Sequence, residues 1–209
     1  EWAARRYGVE IITIPVAPDE SDPQAIVERF ADRIAPRSRV LSFSHILFTT
    51  GVRMPAEALC GLAREHGCWA VIDGAQGPGA MPVDVQALGC HAYAASGHKW
   101  LLGPKGTGFL YIGKDMSGAL DALPITDGRS PGSNSTGIVN IGGLRALGAA
   151  VDYVEALGLE RISTHNLALR SELYAELARL NQVHLPAPAD GPLTSANLAF
   201  CLPGSVDLH

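Results

Sequence analysis

Cys68-Trp69-Ala70-Val71-Ile72-Asp73-Gly74-Ala75-Gln76 is the stretch that decides the fold. An unbroken apolar run of strand length closes on an acid and then turns. Such runs are the mark of a parallel strand covered on both faces. Immediately upstream, Pro55 to His66 reads as an amphipathic helix with Leu59, Leu62 and Ala63 on one face, and Gly67 stops it. Before that helix, Arg39 to His45 reads as another strand, followed by the turn Thr49-Thr50-Gly51. Further up, Gln24 to Ile34 carries Ile26, Val27, Phe30 and Ile34 at helical spacing, with Pro23 at its start and Pro36 after its end. The β-branched run Glu10 to Val16 is expected to be a strand.

Downstream the alternation continues. Val83 to Leu88 is a short helix ended by Gly89, and Cys90 to Ser96 is a strand. Gly103 to Gly108 is a tight loop and Phe109 to Ile112 a further strand. Alternating strands and helices over residues 10 to 112 predict an α/β fold, a mainly parallel sheet flanked by helices. Right-handed crossovers would bring the carboxyl ends of the parallel strands to one edge, where open α/β sheets bind ligands.

Asp115 to Asn140 is rich in Gly, Ser, Pro and Asp and reads as a long excursion. Gly143 to Ala156 and Leu159 to Leu180 are two helical stretches, and Leu167, Leu169, Leu173, Leu177 and Leu180 of the second predict a core-facing side. Ser195 to Leu202 is expected to be a strand that opens a second unit. The expected division is residues 1–142 for a large domain and 143–209 for linking helices and the start of a small C-terminal α/β domain.

The chain has 209 residues, 47% hydrophobic and 18% charged, with a net charge of −5, the composition of a globular protein. It has no basic block that would suit nucleic acid or an anionic membrane. Nor does it contain an apolar run near the roughly 18 residues needed to span a bilayer. The start, Glu1-Trp2 with Arg5-Arg6 close behind, does not resemble a signal peptide, and a cytoplasmic protein is expected. Cys60, Cys68, Cys90 and Cys201 form no CxxC pair or zinc pattern and are expected to be buried thiols in a reducing compartment. His66, His91, His165, His184 and His209 show no metal spacing and are expected at the surface.

Two groups stand at the predicted edge. Asp73 ends one buried strand, and Lys99 follows another in Ser96-Gly97-His98-Lys99-Trp100. One lysine amine and one carboxylate at strand ends is the pairing that pyridoxal 5′-phosphate (PLP) needs: an amine for its aldehyde and an acid to keep its pyridine nitrogen protonated. Ser96 and His98 can donate to a phosphate, Gly97 lets the backbone come close, and Gln76 can reach a phenolic oxygen. His45 could stack on a cofactor ring or be a satisfied strand-end histidine. Gly103 to Gly108 lacks the spacing of a Walker phosphate loop, and Lys105 and Lys114 read as solvated. A non-catalytic phosphate- or nucleotide-binding α/β module is the competing reading, but Gly-x-Gly-x-x-Gly after the first strand is missing.

The order of motifs carries a resemblance. Asp73-Gly74-Ala75-Gln76, Pro82-Val83-Asp84-Val85, Gly89-Cys90, Ser96-Gly97-His98-Lys99-Trp100 and Gly103-Pro104-Lys105-Gly106-Thr107-Gly108 follow one another. With Ser44-His45 before Thr49-Thr50-Gly51, and Gly137 to Ala150 leading into a helix, roughly residues 8 to 180 resemble the class V aminotransferase family of fold-type I PLP enzymes. That group includes cysteine desulfurases and isopenicillin N epimerase-like proteins. The resemblance implies Lys99 as the Schiff-base lysine and α-proton shuttle. Asp73 would lie on the pyridine nitrogen, Gln76 on the phenolic oxygen, and Ser96 and His98 on the phosphate, while a contact that Asn makes in many cysteine desulfurases would be lost here or taken over by Thr49 or Thr50. It also implies an amino acid or amine substrate and a homodimer with shared active sites.

Two departures bear on the reaction. Many cysteine desulfurases carry Asn where this chain has Phe48, and a Gly-Thr-x-Asn phosphate contact reads Gly137-Ile138-Val139-Asn140 here. Both favour the broader group over the desulfurases. Family members run to nearly twice this length, so the chain is expected to be partial and, by itself, to bind PLP weakly.

Overall fold

The computed structural model describes residues 2–119 and 140–204. Its elements are α1 (Trp2–Tyr7), α2 (Pro23–Ala31), β1 (Val40–Ser44), α3 (Ala56–Glu65), β2 (Trp69–Asp73), α4 (Val85–Leu88) and β3 (Ala92–Ser96). After these come β4 (Gly108–Ile112), α5 (Lys114–Ser117), α6 (Ile141–Leu157) and α7 (Leu159–Ala178). The helix ends follow local chemistry. Asp22 accepts from Gln24 N and Asp84 from the backbone of Gln86 and Ala87, so carboxylates cap α2 and α4, the latter starting two residues later than the predicted Val83. Asn140 caps α6 by accepting from Gly143 N at 2.9 Å.

The four strands form one sheet in the order β1-β2-β3-β4. β1, β2 and β3 are parallel, and β4 returns antiparallel to β3. The register pairs Ser44 with Asp73 and Asp73 with Ala94, so the three parallel strands end at one edge, with β3 running two residues past β1 and β2. The predicted mainly parallel α/β sheet is the one observed.

One face of the sheet is covered by α2 and α3. Ile26 and Leu59 are fully buried there, and the Phe30 and Phe43 rings meet edge-on with centroids 6.1 Å apart. On the other face α6 brings Val151 and Val154 over Met81, Tyr93 and Phe109, leaving a small apolar cavity of about 150 Å³ between them.

Several expectations fail, each for a tertiary reason. Residues 10–16 form no strand. Ile14 and Val16 pack against the core, but the segment has no ladder partner among the described residues. β-branched composition makes a strand only where another strand's hydrogen bonds are available. Residues 195–202 likewise form no strand, only an isolated bridge between His184 and Cys201. Ser195 instead donates to Gly51 O at 2.7 Å and clasps the 49–51 turn.

The leucine side of α7 is not core-facing: Leu167, Leu169 and Leu173 are exposed, as is Leu180 beyond the helix, and Leu177 is only half-buried. The one fully buried α7 residue is Arg170, whose guanidinium donates to the Pro188 and Ala189 carbonyls and pins that loop. Periodicity shows which side is apolar but not what covers it. His91 is buried rather than at the surface, with Nδ1 accepting from Ala70 N at 2.8 Å. Cys201 is exposed, unlike the other three thiols.

The excursion expected over 115–140 opens with α5, and residues 120–139, including Gly137, Ile138 and Val139, lie outside the described residues. α6 starts at Ile141, so a boundary after residue 142 falls inside its first turn. Among the described residues no helix is long and apolar enough to cross a membrane.

Candidate active site

The candidate site is the carboxyl edge of β2 and β3. Asp73 is the last residue of β2, exposed, and one of its carboxylate oxygens accepts from Ala75 N at 2.9 Å. That bond orients the carboxylate and leaves its second oxygen for a ligand. Ser96 closes β3, on the strand beside Asp73. The chain then turns: Gly97 N donates to Thr107 O, and Leu102 N donates to Lys99 O. Lys99 is half-buried in this turn and His98 is exposed. Among the described residues neither side chain has an ion pair.

The turn is held tightly. A Cβ on Gly97 would lie 2.4 Å from Thr107 Oγ1 and 2.8 Å from Leu147 Cδ1, so α6 and the 103–108 loop together exclude any side chain there. Two residues past Gly97 in the same turn comes Lys99, and Leu102 beyond it has a φ of 60°. A leucine in the left-handed region costs about 1–2 kcal/mol.

Gln76 follows the Asp73 turn. Its Oε1 accepts from the Trp100 indole N–H at 2.9 Å, which ties the loop after β2 to the turn after β3. Thr50 is half-buried in the turn beyond β1, and its Oγ1 accepts from Val52 N at 3.3 Å. Among the described residues its O–H donates to no partner. Structure thus brings Asp73, Gln76, Ser96 and the Lys99 turn to one edge, and places Thr50 on the neighbouring strand's exit. His45 is not at the surface of this edge. It is 3% exposed, and Nδ1 lies 2.9 Å from the Tyr93 hydroxyl. The satisfied-histidine alternative is therefore the one observed.

That buried pair is the floor of the site. A Cβ on Gly74 would lie 1.8 Å from the Tyr93 ring, so the loop after Asp73 rests directly on it. Loss of water pushes the His45 imidazole down to about 4, with the nearby Arg53 charge adding to it. Burial likewise pushes the Tyr93 hydroxyl up, helped by Cys90 and Asp73. Both rings are neutral over the working pH range and serve as packing. Sequence reading missed the Tyr93–His45 pair and the Trp100–Gln76 bond. Each joins residues far apart in the chain, and their only local sign is a polar tip within an apolar run.

The sequence profile described as Aminotransferase class-V matches residues 1–205. The chain belongs to this family. It is 34% identical to isopenicillin N epimerase of Amycolatopsis lactamdurans, over 99% of this chain and 57% of that protein. The apo structure of a cysteine desulfurase from Thermococcus onnurineus NA1 superposes with a TM-score of 0.81 at 27% identity, covering 96% of this chain and 52% of that one. A C-DES variant with glycine covalently linked to its PLP cofactor superposes with a TM-score of 0.76 at 25% identity, covering 97% of this chain and 57% of that one. The chain thus spans about half the length of the relatives it matches.

The cofactor of this family is pyridoxal 5′-phosphate, and the residues present fit it. An oriented carboxylate, a lysine and a carboxamide stand at one sheet edge, and among the described residues the second Asp73 oxygen, the lysine amine and the Gln76 N–H2 have no hydrogen-bond or ion-pair partner.

Proposed function

We propose that the whole protein is a PLP-dependent enzyme acting at the α-carbon of an amino acid or amine, by transamination, epimerisation or C–S lyase chemistry. The observation that carries this is the shared carboxyl edge of the paired strands β2 and β3, with Asp73 ending one and the Lys99 turn following the other. When bound, the cofactor draws electrons away from the substrate's α-carbon. Lys99 Nζ would be the amine that holds the cofactor and the base that takes and returns the α-proton. The open oxygen of Asp73 holds the proton on the pyridine nitrogen. Ser96 and His98 donate to the phosphate, with Thr50 beside them, and Gln76 donates to the phenolic oxygen.

Residues 1–142 would belong to the large domain and 143–209 to the linking helices and small domain. The working form would be a cytoplasmic homodimer. Reducing the loaded full-length protein with borohydride should fix the cofactor on Lys99, read by peptide mass. Lys99→Ala should remove the visible band and keep the fold. A colourless wild type, or label on another lysine, refutes the reading.

Cysteine desulfuration is the second reading, favoured by the overlay on the Thermococcus enzyme. It needs a reactive thiolate. Cys60, Cys68 and Cys90 are buried, and burial pushes the Cys60 thiol up to about 12 and raises that of Cys90. Phe48, where many desulfurases have Asn, is exposed. Sulfur release from cysteine by the full-length protein decides between the two.

A further inference from the structure

We propose that Trp100 is a positioning residue that sets the orientation of the Gln76 carboxamide, so that a ligand at this edge meets a hydrogen-bond donor and never the acceptor. The inference rests on the PLP reading above and adds a residue to it.

The argument is one of donor and acceptor inventory. An indole Nε1–H can only donate. The Gln76 atom that faces it at 2.9 Å is therefore the oxygen, and the amide cannot be turned over without placing two donors against each other. With Oε1 committed to Trp100, the N–H2 group points elsewhere, and among the described residues it makes no hydrogen bond. Both residues are half-buried, so the arrangement is partly shielded from water. Trp100 is itself held: its carbonyl lies 2.3 Å from where a Cβ on Gly79 would be, so the 77–81 loop packs directly against its backbone.

A free glutamine could present either end of its amide. Presenting the acceptor to an ionised phenolic oxygen would be repulsive, and presenting the donor stabilises the ionised form. Trp100 removes that choice before the ligand arrives, which lowers the ordering cost of binding. Its position directly after Lys99 couples the amine turn to the donor that faces the cofactor's ring oxygen.

The test is a double-mutant cycle on the full-length protein titrated with pyridoxal 5′-phosphate, following the visible band and its pH midpoint. Trp100→Phe keeps the ring and deletes the N–H. Expected is about 2- to 5-fold weaker cofactor binding and a midpoint about half a pH unit higher. Gln76→Ala should cost about 10-fold, and in that background Trp100→Phe should add nothing. A second reading needs no Trp100 variant. Of the indole N–H resonances of the three tryptophans in this chain, one should move in Gln76→Ala without any ligand.

A Trp100→Phe protein with wild-type affinity and midpoint overturns the proposal. So does an equal effect of Trp100→Phe with and without Gln76, or the absence of any indole shift. A wild type that gains no visible band overturns the PLP reading itself, and is told apart from those results because it fails before any substitution.

Discussion

His45 offers a quantitative test of how the site's floor is built. It lies just past β1, 3% exposed, with Nδ1 2.9 Å from the Tyr93 hydroxyl. Removal from water, reinforced by Arg53, carries its imidazole from the ordinary 6.5 down to about 4. The folded protein therefore refuses a proton that the unfolded chain accepts. Above pH 6.5 neither state is protonated at this residue, and its contribution to stability is complete. As the pH falls from 6.5 toward 4 the unfolded chain charges first, and stability drains at up to roughly 1.4 kcal/mol per pH unit. Over the whole window this amounts to about 3 kcal/mol. Urea denaturation of wild type and His45→Asn at a series of pH values measures it. Asparagine can still bond Tyr93 but cannot titrate. The wild type should lose about 3 kcal/mol more than the variant between neutrality and the bottom of the window. Parallel stability curves for the two proteins would refute the assignment of a buried, neutral imidazole under the Asp73 loop.

Two further outcomes follow from the turn after β3. Leu102→Gly should raise stability by about 0.5–1 kcal/mol in urea, because glycine adopts the 60° φ without the leucine penalty; a loss would show that the exposed side chain makes a stabilising contact. Gly97→Ala should cost about 1–3 kcal/mol and weaken cofactor uptake together, since its Cβ meets Thr107 and Leu147; an unchanged denaturation midpoint would contradict the close packing of α6 on the lysine turn.

The division between chain and fold can be read from particular residues. Cys68 to Asp73, Pro55 to His66 and the Asp22 and Asp84 caps carry their structure locally, in apolar continuity, helical period and side-chain reach. The order of those elements determined a parallel sheet, and with it that Asp73 and Lys99 leave their strands at one edge. Residues 10–16 show the limit: their β-branched side chains suit a strand, but a strand exists only through a neighbour's hydrogen bonds. The α7 leucines show it again, since an apolar stripe does not state its cover. Tertiary structure alone decided which way the site's side chains are held. Tyr93 meets His45 across 48 residues and Trp100 meets Gln76 across 24, and no local period encodes contacts of that separation. The sequence placed the chemistry at a sheet edge; packing beneath and beside it determined which atoms face the ligand, because orientation follows from partners that only the folded chain brings within reach.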